Sequence, residues 1–250
     1  MLMNLDVMLR GVSVVMRKDV RIYYRKAPVF IFGLILPTFL FFAFFIGRDL
    51  DIPTYFPGFL AMSLFFTSSS VGPLIVPWEK QTGTFERLLS MPVNVTTVVL
   101  GDALAGAIFG MLIAGIVGIV GIFALGIAVS NIMLLILLFA IGNCCFAALG
   151  VLLSTFGGRV PANIMMLAAL VRFPLIFISG IFVPLSELSG PGIYVAYCSP
   201  LTYLVDGLNY SLDHGSELGW AICVVVLLAF TALFVLAAIK VLERNLMKGL

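Results

Sequence analysis

The sequence predicts an all-α polytopic membrane protein with six transmembrane helices. Three observations lead there. The chain of 250 residues is 62% hydrophobic with a mean hydropathy of +1.20, against about 45–50% apolar residues in a typical soluble domain. Apolar runs of about 18 residues or more recur along it, each a candidate spanning helix. The basic residues fall between these runs so that almost all collect on one side.

The first 27 residues are expected to form an amphipathic helix in the membrane interface. Leu5, Met8, Val12, Val15, Met16 and Tyr23 recur near helical spacing, with Arg10, Arg17, Lys18, Arg21 and Arg25 over much of the rest. Such a helix buries its apolar face at the headgroup boundary and turns its arginines to anionic lipid or a cytoplasmic partner. A cleaved signal peptide is not expected here, because Asp6, Arg10, Arg17 and Lys18 interrupt the uninterrupted apolar stretch that such a peptide needs.

The six spans read as 29–47, 56–77, 97–122, 132–156, 162–183 and 219–239. Each approaches or exceeds the ~20 residues that cross ~30 Å of hydrocarbon, and tilt takes up excess length. With six crossings, Arg10, Arg17, Lys18, Arg21, Arg25, Lys26, Lys80, Arg87, Arg159, Lys240, Arg244 and Lys248 share one face. Arg48 lies on the other face and Arg172 lies inside a span. Basic loops mark the cytoplasmic side, so both termini are expected there in a multi-pass cell-membrane protein. The opposite face carries Asp49, Asp51, Glu187, Asp206, Asp213 and Glu217. They are either what remains when basic residues are excluded or participants in substrate release.

In the third span, Gly106 and Gly110 form a small-xxx-small pair that lets helices approach closely. It serves either packing within the chain or a seam between two copies. The outer segment 184–218 has apolar patches too short to cross, broken by Pro184, Pro191 and Pro200. Re-entrant or interfacial half-helices before the last span are the natural reading. The cysteines Cys144, Cys145, Cys198 and Cys223 form no Cys-x-x-Cys pair, and His214 is the single histidine, so no metal site is expected.

An ionisable residue inside the membrane is costly, about 2.5–3.5 kcal/mol at mid-span, and points to function. Arg172, near mid-depth of the fifth span, is the clearest case. It either lines a polar translocation path, pairs with Asp102 of the third span, binds backbone carbonyls beside Pro174, or snorkels. No chain of intramembrane carboxylates suggests a proton pump. No lysine is followed by Ser or Thr, and no His-Glu-x-x-His or Gly-x-Ser-x-Gly is present, so neither a phosphate-binding loop nor a hydrolase site is expected. The chain is therefore expected not to be an enzyme. No nucleic-acid partner is expected, since membrane topology accounts for the basic residues.

One charged island, EKQTGTFERLLSMP at 79–92, interrupts the apolar sequence after Trp78. Thr82 or Thr84 can cap a short helix there, and Glu86 sits in its first turn, favourable to the helix dipole. Phe85, Leu88 and Leu89 fall at i, i+3 and i+4 and form an apolar ridge, which a partner groove or the membrane surface must cover. Pro92 stops the helix. Glu79, Lys80, Glu86 and Arg87 balance to zero, which suits a docking face better than a lipid anchor.

The order of charged residues, GTFERLLSMPV and a glycine-rich span resembles the cytoplasmic loop of ABC-2-type transporter permeases, through Glu79, Gly83, Thr84, Glu86, Leu88, Leu89, Pro92 and Val93. A second stretch, ISGIFVPLSELSGPGIYVAYCSPLTYLVDGLN, matches through Ser179, Gly180, Pro184, Pro200, Leu201, Thr202 and Tyr203, and departs at Asn209, where arginine or glutamine is usual. The resemblance covers nearly the whole chain as a single transmembrane domain. It implies a permease subunit of an ATP-binding-cassette exporter that pairs with a second copy, as a homodimer, and with two cytoplasmic ATPase subunits. ATP and magnesium would be bound by those subunits, and this chain would hold no cofactor. The island would be the coupling helix seated on the ATPase through Glu79, Gly83, Thr84, Phe85, Glu86, Leu88 and Leu89. The substrate implied is drug-like or lipid-type and amphiphilic, moved outward by alternating access. A lipid-linked glycan or polysaccharide is the alternative within the class. An integral membrane enzyme or an assembly subunit is the alternative outside it.

Overall fold

The computed structural model describes residues 5–23, 30–31, 35–45, 52–90, 93–156, 160–182, 185 and 190–248. The expectations placed on Arg25, Lys26, Arg48, Asp49, Asp51, Pro92, Arg159, Pro184 and Glu187 fall outside the described residues. Among the described residues the regular structure is helical throughout. In chain order the helices are α1 (Leu5–Ile22), α2 (Leu36–Phe45), α3 (Ile52–Ser69), α4 (Gly72–Thr82), α5 (Thr84–Leu89), α6 (Val95–Leu125), α7 (Ile132–Thr155), α8 (Pro161–Phe177), α9 (Pro191–Tyr197), α10 (Pro200–Ser211) and α11 (Trp220–Lys248).

Four helical runs among the described residues are long and apolar enough to cross a membrane: Ile52–Thr82, Val95–Leu125, Ile132–Thr155 and Trp220–Met247. The first and fifth predicted spans are represented by α2 and α8, which are 10 and 17 residues long. Burial separates the roles of the long runs. The most apolar stretch of Ile52–Thr82 is 94% buried, whereas those of α6 and α11 are 17% buried. A helix that is apolar all round is stable either inside a bundle or in lipid. The α3–α4 run takes the central place, while α6 and α11 keep broad apolar outer faces such as Leu112, Ile116, Ile119, Val225 and Leu236.

The principal core joins α3, α7, α10 and α11 through Phe65, Phe66, Leu138, Phe146, Leu204 and Leu227. Phe65 meets Phe146 edge to face at 4.8 Å between ring centroids, the offset geometry that aromatic quadrupoles favour. Gly110 of α6 packs so tightly that an added Cβ would collide with Ser68 of α3 and Asn143 of α7. The small-residue position predicted in the third span is thus consumed inside this chain. Asn143 ties the same three helices together. Its side-chain amide donates to the Ala107 carbonyl at 2.5 Å, and its carbonyl accepts from Ser68 Oγ.

The second span departs from the sequence expectation. It is not one helix but two, interrupted at Ser70 and Val71. The sequence FTSSSVGP explains the interruption. Thr67, Ser68, Ser69 and Ser70 turn their hydroxyls back onto carbonyls of their own helix, at 2.8, 2.7, 2.6 and 3.0 Å, a habit that bends helices. Pro73 then lacks the N–H that the Ser69 carbonyl would accept in an unbroken helix. Gly72 and Gly150 let α4 cross α7 at the break: a Cβ on Gly72 would lie 2.7 Å from the Gly150 carbonyl carbon. Past the predicted end of this span the helix continues as α4 to Thr82, so Glu79 and Lys80 belong to it and not to the short helix that follows. The last helix also outruns its predicted end at 239. Asn245 near its finish donates to the Thr155 carbonyl at 2.7 Å, fastening the ends of α11 and α7 together.

At the other end of the bundle, within the segment 184–218, lie two short helices, α9 and α10. The Pro-Leu-Thr-Tyr motif joins them. Ser199 caps α10 by accepting from the Leu201 N–H at 3.3 Å, Pro200 starts the helix where a missing N–H costs nothing, and Thr202 and Tyr203 donate to the carbonyls of Ala196 and Tyr197 at 2.6 and 2.9 Å. Asp206 is buried and not a surface charge. It accepts from Ser216 Oγ and the N–H groups of Glu217 and Leu218 at 2.6, 2.8 and 3.2 Å, pinning the loop before α11.

Candidate functional site

The charged island opens on the last turn of α4. That helix ends at Gly83, whose φ of 68° is left-handed and whose N–H reaches back to the carbonyls of Glu79 and Lys80. A side chain at this φ costs about 1–2 kcal/mol, so the position favours glycine. Neither threonine caps α5 as expected. Thr82 Oγ1 donates to the Trp78 carbonyl at 2.9 Å and Thr84 Oγ1 to that of Glu79 at 3.3 Å. Both hydroxyls turn back onto carbonyls of the last turn of α4, and Gly83 itself occupies the position before α5.

The expected apolar ridge of α5 is corrected at Phe85. Phe85 is 2% exposed and sits in an apolar cluster of this chain with Val76, Val99, Val151, Ala238 and Leu242. Its ring lies 5.5 Å from the Lys80 ammonium, within cation–π range. Phe85 therefore roots α5 in the bundle and is not offered to a partner. Leu88 is half-buried, and the side chain of Leu89 lies outside the described residues. Among the described side chains of α5, those presented outward are polar: Thr84, Glu86 and Arg87, with the adjoining Ser90.

Behind α5 four charged groups from three helices converge. Lys18 of α1 donates to Glu79 Oε1 of α4 and lies 3.1 Å from Asp19 Oδ1. That second approach is close enough for an ion pair but is not aligned as a hydrogen bond. Asp102 of α6 faces Asp19, side chain to side chain. Asp19, Glu79 and Asp102 are all but inaccessible, at 0, 2 and 1% exposure. Asp102 thus meets α1, and the pairing expected with Arg172 does not form. Arg172, on α8, donates to the Ser69 carbonyl instead. Its backbone acceptor lies on the second span and not beside Pro174.

Three carboxylates share one ammonium here. Buried charge is tolerated only when it is paired and hydrogen-bonded, yet both Asp19 oxygens, Glu79 Oε2 and Asp102 Oδ1 accept no hydrogen bond. The electrostatics of α1 follow. Burial works against the Lys18 ammonium, but the carboxylates of Asp102, Asp19 and Glu79 outweigh it and hold its pKa above the ordinary lysine value. Burial pushes the Asp19 carboxyl up from its usual range, against the opposing charge of Lys18. Burial and then the Glu79 charge raise the Tyr23 phenol.

Tyr23 closes the site. Its hydroxyl lies 3.5 Å from Glu79 Oε1, and its ring stacks on Trp78 at 5.6 Å and 10°. Outside this stack a groove of about 420 Å³ runs between α1 and α5, lined by Ile22, Tyr23, Trp78, Thr84, Arg87 and Leu88. α1 is held in place by close packing on α6, where a Cβ on Gly101 would meet Val15 at 2.6 Å.

Sequence reasoning missed Asp19, although its signal was present. Met8, Val12, Val15, Asp19 and Tyr23 continue one i+3/i+4 stripe. An acid on an apolar stripe has to find a partner inside the protein. Asn143 was the comparable signal within a span.

At the opposite end of the α3–α4 run, a polar pocket of about 180 Å³ is lined by Tyr55, Asp206, Asn209, His214 and Glu217 among others. The two ends of one central helical run thus carry the two polar sites, with the break between them.

The ABC-2 type transporter family matches the chain over residues 10–213, a range that takes in most of α1, the charged island and the Pro-Leu-Thr-Tyr motif. No curated protein matches the chain. The match spans most of the sequence and every charged residue of the site behind α5, so the chain belongs to the ABC-2 type transporter family, as a membrane-embedded permease subunit, and membership implies an ATP-binding partner in an ABC transporter.

Proposed function

We propose that this permease exports an amphiphilic drug-like or lipid-type substrate, driven by two cytoplasmic ATPase subunits that dock on α5. In this reading two identical copies form the transporter, each with six spans. Both termini, α1 and α5 lie on the cytoplasmic side of the cell membrane, and substrate moves outward by alternating access. ATP and magnesium belong to the ATPases, and this chain holds no cofactor.

One observation carries the docking role. α5 is anchored inward by Phe85 and turns Thr84, Glu86 and Arg87 outward beside an apolar groove. In this reading a short helix rooted in the bundle at Phe85 would pass a push on its outward face to the helices that hold it. The charge cluster supports the same role, since Lys18 and Glu79 tie α1 to the helix that carries α5. The absence of excess basic residues on α5 favours a protein groove over anionic lipid. Alternating access would then use the α3–α4 run, which connects α5 to the polar pocket at the far end.

Two classes of substitution separate anchoring from docking. Glu86→Lys with Leu88→Asp, or Arg87→Glu alone, is expected to leave the permease folded, abolish co-purification of the cognate ATPase and remove substrate-stimulated ATP hydrolysis. Phe85→Ala is expected to lower the melting temperature of the permease itself, by about 3–5 kcal/mol of stability. Stimulated hydrolysis and co-purification that survive the Glu86/Leu88 change would refute the docking role.

A further inference from the structure

We propose that Arg172 is a positioning residue for transport: its guanidinium clasps the break in the second span and sets the angle between α3 and the α4–α5 arm. The argument begins with a carbonyl. In an unbroken helix the oxygen of Ser69 accepts the N–H of residue 73, and residue 73 is proline. The surroundings are buried: Ser68, Ser69, Ser70 and Val71 are at most 3% exposed. A buried carbonyl without a donor costs about 1–3 kcal/mol. Arg172 supplies the missing donor from α8 through Nη2.

The choice of arginine is informative. It is 4% exposed and has no carboxylate partner among the described residues. A neutral donor would satisfy one carbonyl at far lower desolvation cost. A cation does more, because the end of α3 carries the partial negative charge of its unsatisfied carbonyls. The side chain also keeps a donor in reserve, since Nε has no partner. Pro77 removes a second N–H, the one that the Pro73 carbonyl would accept one turn further along α4. The segment from 69 to 77 is thus built with two gaps in its backbone ladder, and a charged side chain from another helix closes the first.

Position gives this clasp its consequence. α4 leads directly through Gly83 into α5, and its last turn is held to α1 by Glu79. A displacement of α5 travels along α4 and reaches the break before it reaches α3. There the angle can change without breaking a helical hydrogen bond, because the relevant bond was never made. Arg172 links that angle to α8, which packs on α4. The glycine crossing of Gly72 on Gly150 serves as the pivot. The transport consequence rests on the docking role proposed for α5; the geometric part does not.

The test uses the full chain in lipid nanodiscs, with exposed Cys144 and Cys198 replaced and spin labels at positions 52 and 81. Arg172→Met removes the clasp. Pro73→Ala returns an N–H to the Ser69 carbonyl. The expected result is a shifted and broadened 52–81 distance distribution with a lower melting temperature in R172M. R172M/P73A is expected to regain a narrow distribution and the melting temperature, now with a straighter helix. A distribution in R172M equal to wild type, or a double variant as broad as R172M, overturns the proposal. If R172M yields no folded protein, recovery of folded R172M/P73A supports it and failure of both overturns it. Reconstitution with the cognate ATPase adds the second arm. Loss of substrate-stimulated hydrolysis that persists in the stable double variant marks positioning, whereas full recovery marks a merely structural arginine. The distances are measured without any ATPase, so a failure of the docking role leaves that arm intact.

Discussion

Lys18 on the amphipathic helix and Glu79 at the end of the central helical run form a hydrogen-bonded ion pair across 61 positions of sequence. Glu79 is almost wholly buried, and Lys18 retains a quarter of its side-chain exposure. The pair joins the helix that packs on α6 to the helix that leads into α5. Movement of either one is therefore felt by the other.

Removing the cation should be the most damaging single change at this site. Lys18→Met leaves Asp19, Glu79 and Asp102 facing one another with no positive charge among them. Breaking a buried pair from one side costs about 3–5 kcal/mol, and the partial exposure of Lys18 places the loss at the lower end. Glu79→Gln, which removes one of three carboxylates and keeps a hydrogen-bonding side chain, is expected to cost less. Melting of the purified permease in detergent or nanodiscs ranks the two, and a Glu79→Gln variant less stable than Lys18→Met contradicts the charge count.

The Asp19 carboxyl gives α1 a dependence on acidity. Its folded pKa is raised above its unfolded value, chiefly by burial. A raised acid favours the folded state when protonated, so its contribution is fully present below the unfolded value of about 3.9 and is lost as pH rises through the folded one. The groups facing it are Lys18 on α1 and Asp102 on α6, with Glu79 on α4 beyond Lys18. The permease should gain stability on mild acidification relative to Asp19→Asn, and the difference between the two melting curves should shrink toward low pH. A constant difference across that window would contradict the assignment.

Glycine substitutions along α6 should separate by face. A Cβ at Gly110 collides with Ser68 and Asn143, whereas one at Gly115 meets nothing within 4 Å. Gly110→Ala is expected to destabilise by about 1–3 kcal/mol through forced separation of α6 from α3 and α7. Gly115→Ala is expected to be neutral or slightly stabilising, since alanine is the better helix former. Equal melting temperatures for the two variants would show that the close approach is not energetically important.

Much of the architecture was legible in the residues. Four of the six expected apolar runs, the amphipathic start, the charged island and the short helices of segment 184–218 appear near their expected positions, because transfer energy and helical period act locally. The candidate site was legible only in outline. The sequence singles out Glu79 and Asp102, but it offers Arg172 as one possible partner of Asp102, since depth along a span says nothing about the direction in which a side chain points. Phe85, Leu88 and Leu89 share an apolar ridge by spacing, and spacing reveals an apolar face and not what covers it. In the fold Phe85 is covered by α6, α7 and α11 of the same chain. The broken second span carried its own signal in FTSSSVGP, where serines precede a Gly-Pro step.

The amino-acid order by itself determined that this chain lives in a membrane, where its helices run, and where charge must leave the apolar phase. Those outcomes follow from free energies that each segment meets alone. The partners of the buried polar groups were settled by helix packing: which carboxylates share Lys18, which donor reaches the Ser69 carbonyl, and which side chains cover Phe85. They depend on the register and rotation of helices far apart in sequence, where a shift of one residue turns a side chain by about 100° and replaces one partner with another.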